Sequence, residues 1–218
     1  FLIVWILALL VGYSLIISLP VISLISSYIF SLKLNFVPYC IPILDGCTSI
    51  SRAGRYFPVN VFFKTFMFFS GFLILYYWYK NFIFFKNFNK IILINTAYII
   101  GIISIFSLFL YLIFLGENNY YRYFRKIGIF VYILFAIISE LLLSITYLKN
   151  IRNKFFNRIF VKYKFYLSLI LIITGLIFFP FMIIKIDNVS NIRNIISWNY
   201  FLFIQINFLF TYFIWNKS

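Results

Sequence analysis

The sequence predicts an all-α fold, a polytopic membrane helix bundle with six transmembrane helices and both termini cytoplasmic. Three observations lead there. Of 218 residues, 65% are hydrophobic and only 11% charged, with a mean hydropathy of +1.04, which leaves too little polar surface to coat a water-soluble globule. The apolar residues gather in six runs, each close to the roughly 20 residues that a helix needs to cross about 30 Å of hydrocarbon. None of these runs alternates as the strands of a membrane barrel must, and a helix satisfies its own backbone in lipid.

The first span, 2–29, is longer than one crossing requires, and Pro20, after Ser14 and Ser18, is expected to kink it or end its regular part. The chain opens at Phe1 and is apolar at once, so a short N-terminal tail is expected ahead of it; neither a charged leader nor a cleavage site is visible. A polar loop, 30–58, precedes spans 59–79, 91–115 and 127–148. A basic loop, 149–164, precedes spans 165–184 and 196–215. The whole is read as a single transmembrane domain, 1–218. Gly71, Gly101, Ser104, Ser107 and Gly175 mark places where helices can approach closely. Trp78, Trp198 and Trp215, near span ends, fit interface anchors.

Orientation follows from the cations. Lys80, Lys86 and Lys90 follow the second span, and Lys149, Arg152, Lys154, Arg158, Lys162 and Lys164 follow the fourth, with no acid in either loop. These loops are therefore expected in the cytoplasm, and 30–58 on the outer face. Asp45, Glu117 and Asp187 lie in the remaining loops. The net charge of +15 is spread over both faces of a membrane, so anionic lipid, not nucleic acid, is the expected partner. In Lys149–Lys164, Phe155, Phe156, Phe160 and Tyr163 interleave with basic residues. The segment either lies in the headgroup layer or simply fixes topology.

Composition also limits the chemistry. With no histidine and two cysteines, a Ser/His/Asp triad, a His-ligated metal and a four-thiolate site are excluded. The four acids lie far apart, and no Gly-rich phosphate loop is present. A non-catalytic protein without cofactor or metal is expected.

The polar stretch is CTSISRAGRYFP, Cys47–Pro58. Cys40 and Cys47 are close enough in sequence for a local disulfide on an oxidising face, or else remain reduced thiols. Ser49 and Ser51, with Thr48, suit helix caps or turns; Gly54 permits unusual backbone; Pro58 suits the first turn of the next span. Arg52 and Arg55, three apart, share a face if the segment is helical, and beside those hydroxyls they could hold a lipid phosphate. Alternatively Asp45 pairs with either arginine. Inside the spans one acid stands out. Glu140 is costly there unless it faces the bundle interior, and its candidate partners are Ser139, Ser144, Lys64, Gln205 and Asn207. It either faces an internal polar cavity flanked by Gln205 and Asn207, or is a protonated packing contact.

The run SISRAGRYFP followed by VNVFFKTFMFF resembles the S-I-S-x-x-G-x-x-P pattern of the FRAG/DRAM/SFK membrane-protein family. Ser49, Ile50, Ser51 and Gly54 match, Pro58 falls one residue later than in the pattern, and Phe62 or Phe63 supplies the trailing aromatic. The resemblance implies a six-span plan with the motif in the first outer loop and a lipid-related role, since members are linked to remodelling of GPI-anchor lipid, to autophagy and to phosphoinositide organisation. It implies no enzyme class. The competing expectations are a structural or assembly subunit of a larger membrane complex, contacting other subunits, and a small-solute carrier centred on Glu140, for which no inverted repeat is visible.

Overall fold

A computed structural model describes residues 2–86, 91–117, 119–150, 156–183 and 190–215. The described residues form helices, one 3-10 turn and connecting loops, with no strand among them. Six long helices carry the fold: α1 (Leu2–Lys33), α4 (Val59–Lys86), α5 (Ile91–Phe114), α6 (Arg122–Lys149), α7 (Arg158–Ile183) and α8 (Ser190–Trp215). Two one-turn helices, α2 (Pro42–Asp45) and α3 (Ile50–Ala53), lie in the loop between α1 and α4. Lys90, Arg152, Lys154, Phe155 and Asp187, which bear on orientation and the basic loop, fall outside the described residues.

The long helices follow one another around a ring. Each packs on the next in sequence, and α8 returns to pack on α1. Polarity runs inside out. On α1, Ile22, Ile25 and Ile29 are exposed while Ser23, Ser27 and Ser31 are buried; on α4, Phe69, Phe72 and Tyr76 are exposed while Ser70, Gly71, Tyr77 and Asn81 are buried. An apolar exterior with polar side chains turned inward is the arrangement that lipid favours. Many of the inward hydroxyls bond to the preceding turn of their own helix, as Ser70 does to Phe66 O (2.8 Å), Ser144 to Leu141 O (2.7 Å) and Thr146 to Leu142 O (2.9 Å), so burial leaves them satisfied.

Among the described residues, α1, α4, α5, α6 and α7 are long and apolar enough to cross a membrane. The chain is thus a multi-pass helical membrane protein. α8 has the length but carries Asn194, Asn199, Gln205 and Asn207, which lower its hydropathy and, as shown below, hold other elements.

Several sequence expectations need correction. α1 does not end at Pro20, which is buried inside it, but runs on to Lys33; proline is tolerated within such a helix where neighbouring groups satisfy the freed backbone. α6 and α7 begin earlier than 127 and 165 because their first turns carry cations that a hydropathy window rejects but helical hydrogen bonding does not. Two of the three tryptophans are not interface anchors: Trp78 is 1% exposed, packed where Gly101 leaves room, and Trp198 is 4% exposed. Trp215 donates to the Tyr147 hydroxyl at 2.8 Å within an aromatic cluster with Phe84 and Phe156. Phe156 is itself fully buried, so it does not insert into a headgroup layer.

Candidate functional site: two polar clusters at opposite ends of the bundle

The first cluster lies within the bundle towards the α6–α7 connection. Glu140 on α6 is 2% exposed and is ion-paired with Lys164 on α7, which is fully buried. Lys164 was expected in a cytoplasmic loop. Instead it sits six residues into α7, about 9 Å along the helix at 1.5 Å per residue. Its ammonium also donates to Asn207 Oδ1 (2.7 Å) and Asn207 O (3.1 Å) on α8, so its three donors are used. Asn207 in turn donates to Ser168 Oγ (2.7 Å), and Ser168 to Lys164 O (2.9 Å). Tyr77 on α4 shares a hydrogen bond with Thr211 (3.0 Å) and donates to Glu140 Oε2 (3.4 Å). Glu140 Oε1 is left without a partner.

This corrects the expected surroundings of Glu140. Asn207 joins it, but only through Lys164, and Gln205 does not: its amide is buried and makes no hydrogen bond. Positions two apart on a helix point about 200° apart, so one face of α8 cannot present both. Ser139 and Ser144 bond to their own helix. Lys64 lies at the other end of α4 and donates to Ile113 O (3.3 Å). Charge balance and nearly complete hydrogen bonding make the cluster a lock between α4, α6, α7 and α8.

The second cluster lies at the opposite end, around the loop between α1 and α4. Cys40 and Cys47 are joined by a disulfide, their Cα atoms 6.5 Å apart. Asp45 accepts from Ile41 N (2.8 Å) at the head of α2. The side of α8 facing the loop fastens it: Asn194 donates to Gly46 O (2.7 Å), Trp198 to Thr48 O (2.9 Å) and Asn199 to Ile43 O (3.1 Å). Gly46 has φ +63°, and its Cα lies so close to Asn191 O that a Cβ would overlap it, which leaves glycine as the residue that fits. Tyr28 adds a bond to Cys40 O (2.6 Å), and Ser31 one to Ala53 O (2.6 Å).

Within the motif, Ser49 caps α3, accepting from Arg52 N at 3.2 Å. Gly54 has φ −105°, ordinary for any residue. Its role is space, because a Cβ there would stand 2.8 Å from the Phe63 ring. α3 ends at Ala53, so Arg52 and Arg55 do not share a helical face. Arg52 is exposed; Arg55 is half-buried and turns back to donate to Ser51 Oγ (3.3 Å), leaving its buried Nε unpartnered. Sequence reasoning missed what lies beside it. Tyr111 on α5 is 2% exposed and adjoins Arg55, and its hydroxyl makes only a weak contact with Ser51, short of a well-formed hydrogen bond. Arg125 on α6 is also buried, donates to Phe114 O (3.2 Å) and Glu117 O (2.8 Å), and repels Arg55 and Arg122 electrostatically. Gly128 lets α6 come this close, since a Cβ there would be 2.9 Å from Tyr111 N.

Fold and site together define a multi-pass helical membrane protein with a charge-balanced lock at one end and a cation-rich, under-bonded cluster at the other. No family model, curated protein or solved structure matches the chain.

Proposed function

We propose that this chain is a six-span, non-catalytic protein of lipid organisation or lipid remodelling, of the FRAG/DRAM/SFK type, with both termini cytoplasmic and its first loop facing anionic headgroups on the outer side. The observation that carries this is the division of charge in that loop. Asp45 is engaged by Ile41 N, while Arg52 stays exposed without an ion pair and Arg55 keeps an unbonded donor. Lys33 and Arg122 add cations at the same end. The Cys40–Cys47 disulfide supports an oxidising, extracytoplasmic environment for the loop. α8 serves as the sixth span, its polar residues facing loop and neighbouring helices, which brings the terminus back to the side from which α1 starts.

The test is native mass spectrometry of protein released from bilayers of phosphatidylcholine mixed with phosphatidic acid. Preferential retention of phosphatidic acid, reduced in Arg52→Ala, is the expected result. Equal retention of both lipids, or isolation only as part of an obligate assembly with other subunits, would overturn it.

A further inference from the structure

We infer that Ser51, Arg55, Tyr111 and Arg125 form a recess for a phosphate group, set between α3, α5 and α6 behind the exposed Arg52. The inference rests on the headgroup reading above and gives that loop its ligand-binding residues.

Two under-bonded buried donors meet at one place. Arg55 Nε has no partner in the protein, and the Tyr111 hydroxyl has only a weak contact with Ser51, whose hydroxyl already receives Arg55 Nη2. A buried donor without an acceptor is costly, and native proteins tolerate few of them. An acceptor supplied by a ligand removes that cost at two atoms together. The sign of the missing charge is also fixed. Arg125 stands close enough to repel Arg55 and Arg122, Glu117 offsets only part of that charge, and Asp45, the acid of the loop, accepts from Ile41 N. An oxyanion that spans several donors at once answers both deficits, and a phosphate, with several oxygens and more than one negative charge, does so better than a carboxylate.

Position selects the same ligand. Tyr111 lies three residues before the end of α5 and Arg125 three residues into α6, each about 4.5 Å from its helix end. With the loop on the outer face, as proposed above, a lipid phosphate would approach the bundle at these helix ends. Gly116, with φ +87°, brings the α5–α6 turn against Arg55, since a Cβ there would be 3.1 Å from Arg55 O. The loop and the turn thus close on the recess from two sides.

The test uses the full chain and compares wild type with Arg55→Gln, Tyr111→Phe and Arg52→Ala. Thermal unfolding is followed in neutral detergent with and without inorganic phosphate, and in nanodiscs of phosphatidylcholine with and without phosphatidic acid. Tyr111→Phe removes a buried hydroxyl whose one protein contact, with Ser51, is weak, so without phosphate its midpoint should stay close to that of wild type, while its affinity for the phosphate-bearing probe falls. Arg55→Gln should lose roughly tenfold or more in affinity, the ratio that about 1.4 kcal/mol corresponds to. A response to phosphatidic acid alone makes a lipid headgroup the source, whereas an equal response to inorganic phosphate makes free phosphate sufficient. If Arg52→Ala abolishes the anionic-lipid response while Arg55→Gln and Tyr111→Phe leave it intact, the headgroup reading survives and the recess is refuted. If wild type responds to neither probe, both fall.

Discussion

The two polar clusters sit about 22 Å apart along α6, from Arg125 to Glu140 at 1.5 Å per residue, and they solve opposite problems. Around Glu140 the charges cancel. Lys164 pairs with it, Asn207, Ser168, Tyr77 and Thr211 absorb most of the remaining hydrogen-bonding capacity, and four helices meet there. Around Arg55 the cations outnumber the one nearby acid, Glu117, Arg55 Nε has nothing to bond, and the Tyr111 hydroxyl has only a weak contact with Ser51. A charge-balanced and nearly satisfied network holds elements in register, whereas under-bonded donors that meet beside uncancelled cations invite an anionic acceptor from outside the chain. Buried charge is therefore a poor guide to a functional site unless its partners are counted.

The largest expected effect lies in the balanced cluster. Lys164→Met leaves the Glu140 carboxylate buried without its cation, and a loss of about 3–5 kcal/mol is expected, read as a collapse of the folded fraction in detergent. The double variant Glu140→Leu/Lys164→Met should recover most of it, because replacing both ions by apolar side chains is often neutral or better. Failure of the double variant to recover would mean that the pair does more than lock helices, and the contrast between the two clusters would weaken.

At the loop end the next effects are steric and covalent. Gly54→Ala should cost about 1–3 kcal/mol because its Cβ meets the Phe63 ring, and Gly54→Ala/Phe63→Leu should restore part of the loss. Cys40→Ser should lower the unfolding midpoint in non-reducing buffer by an amount that reductant imposes on wild type, corresponding to roughly 2–3 kcal/mol for so short a loop. Trp198→Phe removes the bond to Thr48 O and should cost about 1 kcal/mol, seen as faster proteolysis of the loop. The smallest effect on stability belongs to Arg52→Ala, within about 0.5 kcal/mol, although it should weaken retention of phosphatidic acid.

Much of the fold was legible because lipid demands long apolar runs, and the runs at 59 and 91 begin where α4 and α5 begin. The ends of runs were less legible wherever a cation belongs to a helix. Lys164 was assigned to a loop on hydropathy, yet its partner is an acid 24 residues earlier on another helix. A partial signal existed in the lone Glu140, since an acid inside a span calls for a cation, but Lys149, Arg158 and Lys162 all lie nearer in sequence, so spacing does not single out Lys164. Arg125 was hidden for the same reason. Its bonds to the last carbonyl of α5, Phe114 O, and to Glu117 O in the following turn depend on a tertiary contact that Gly128 makes room for, and no periodicity records it. In the motif loop the cap at Ser49 was legible because it is a local contact with Arg52 N, whereas the room that Gly54 leaves for Phe63 of α4 and the ties from α8 depend on tertiary contacts that the sequence does not record.

The most direct measurement is a density map of the protein in nanodiscs that contain phosphatidic acid. A phosphate-sized feature bonded to Arg55 Nε and the Tyr111 hydroxyl, with no ligand feature beside Glu140 and Lys164, is the predicted result. An empty recess at Arg55, or a ligand seated on the Glu140–Lys164 pair, would contradict the division of the molecule into a structural lock and a binding site.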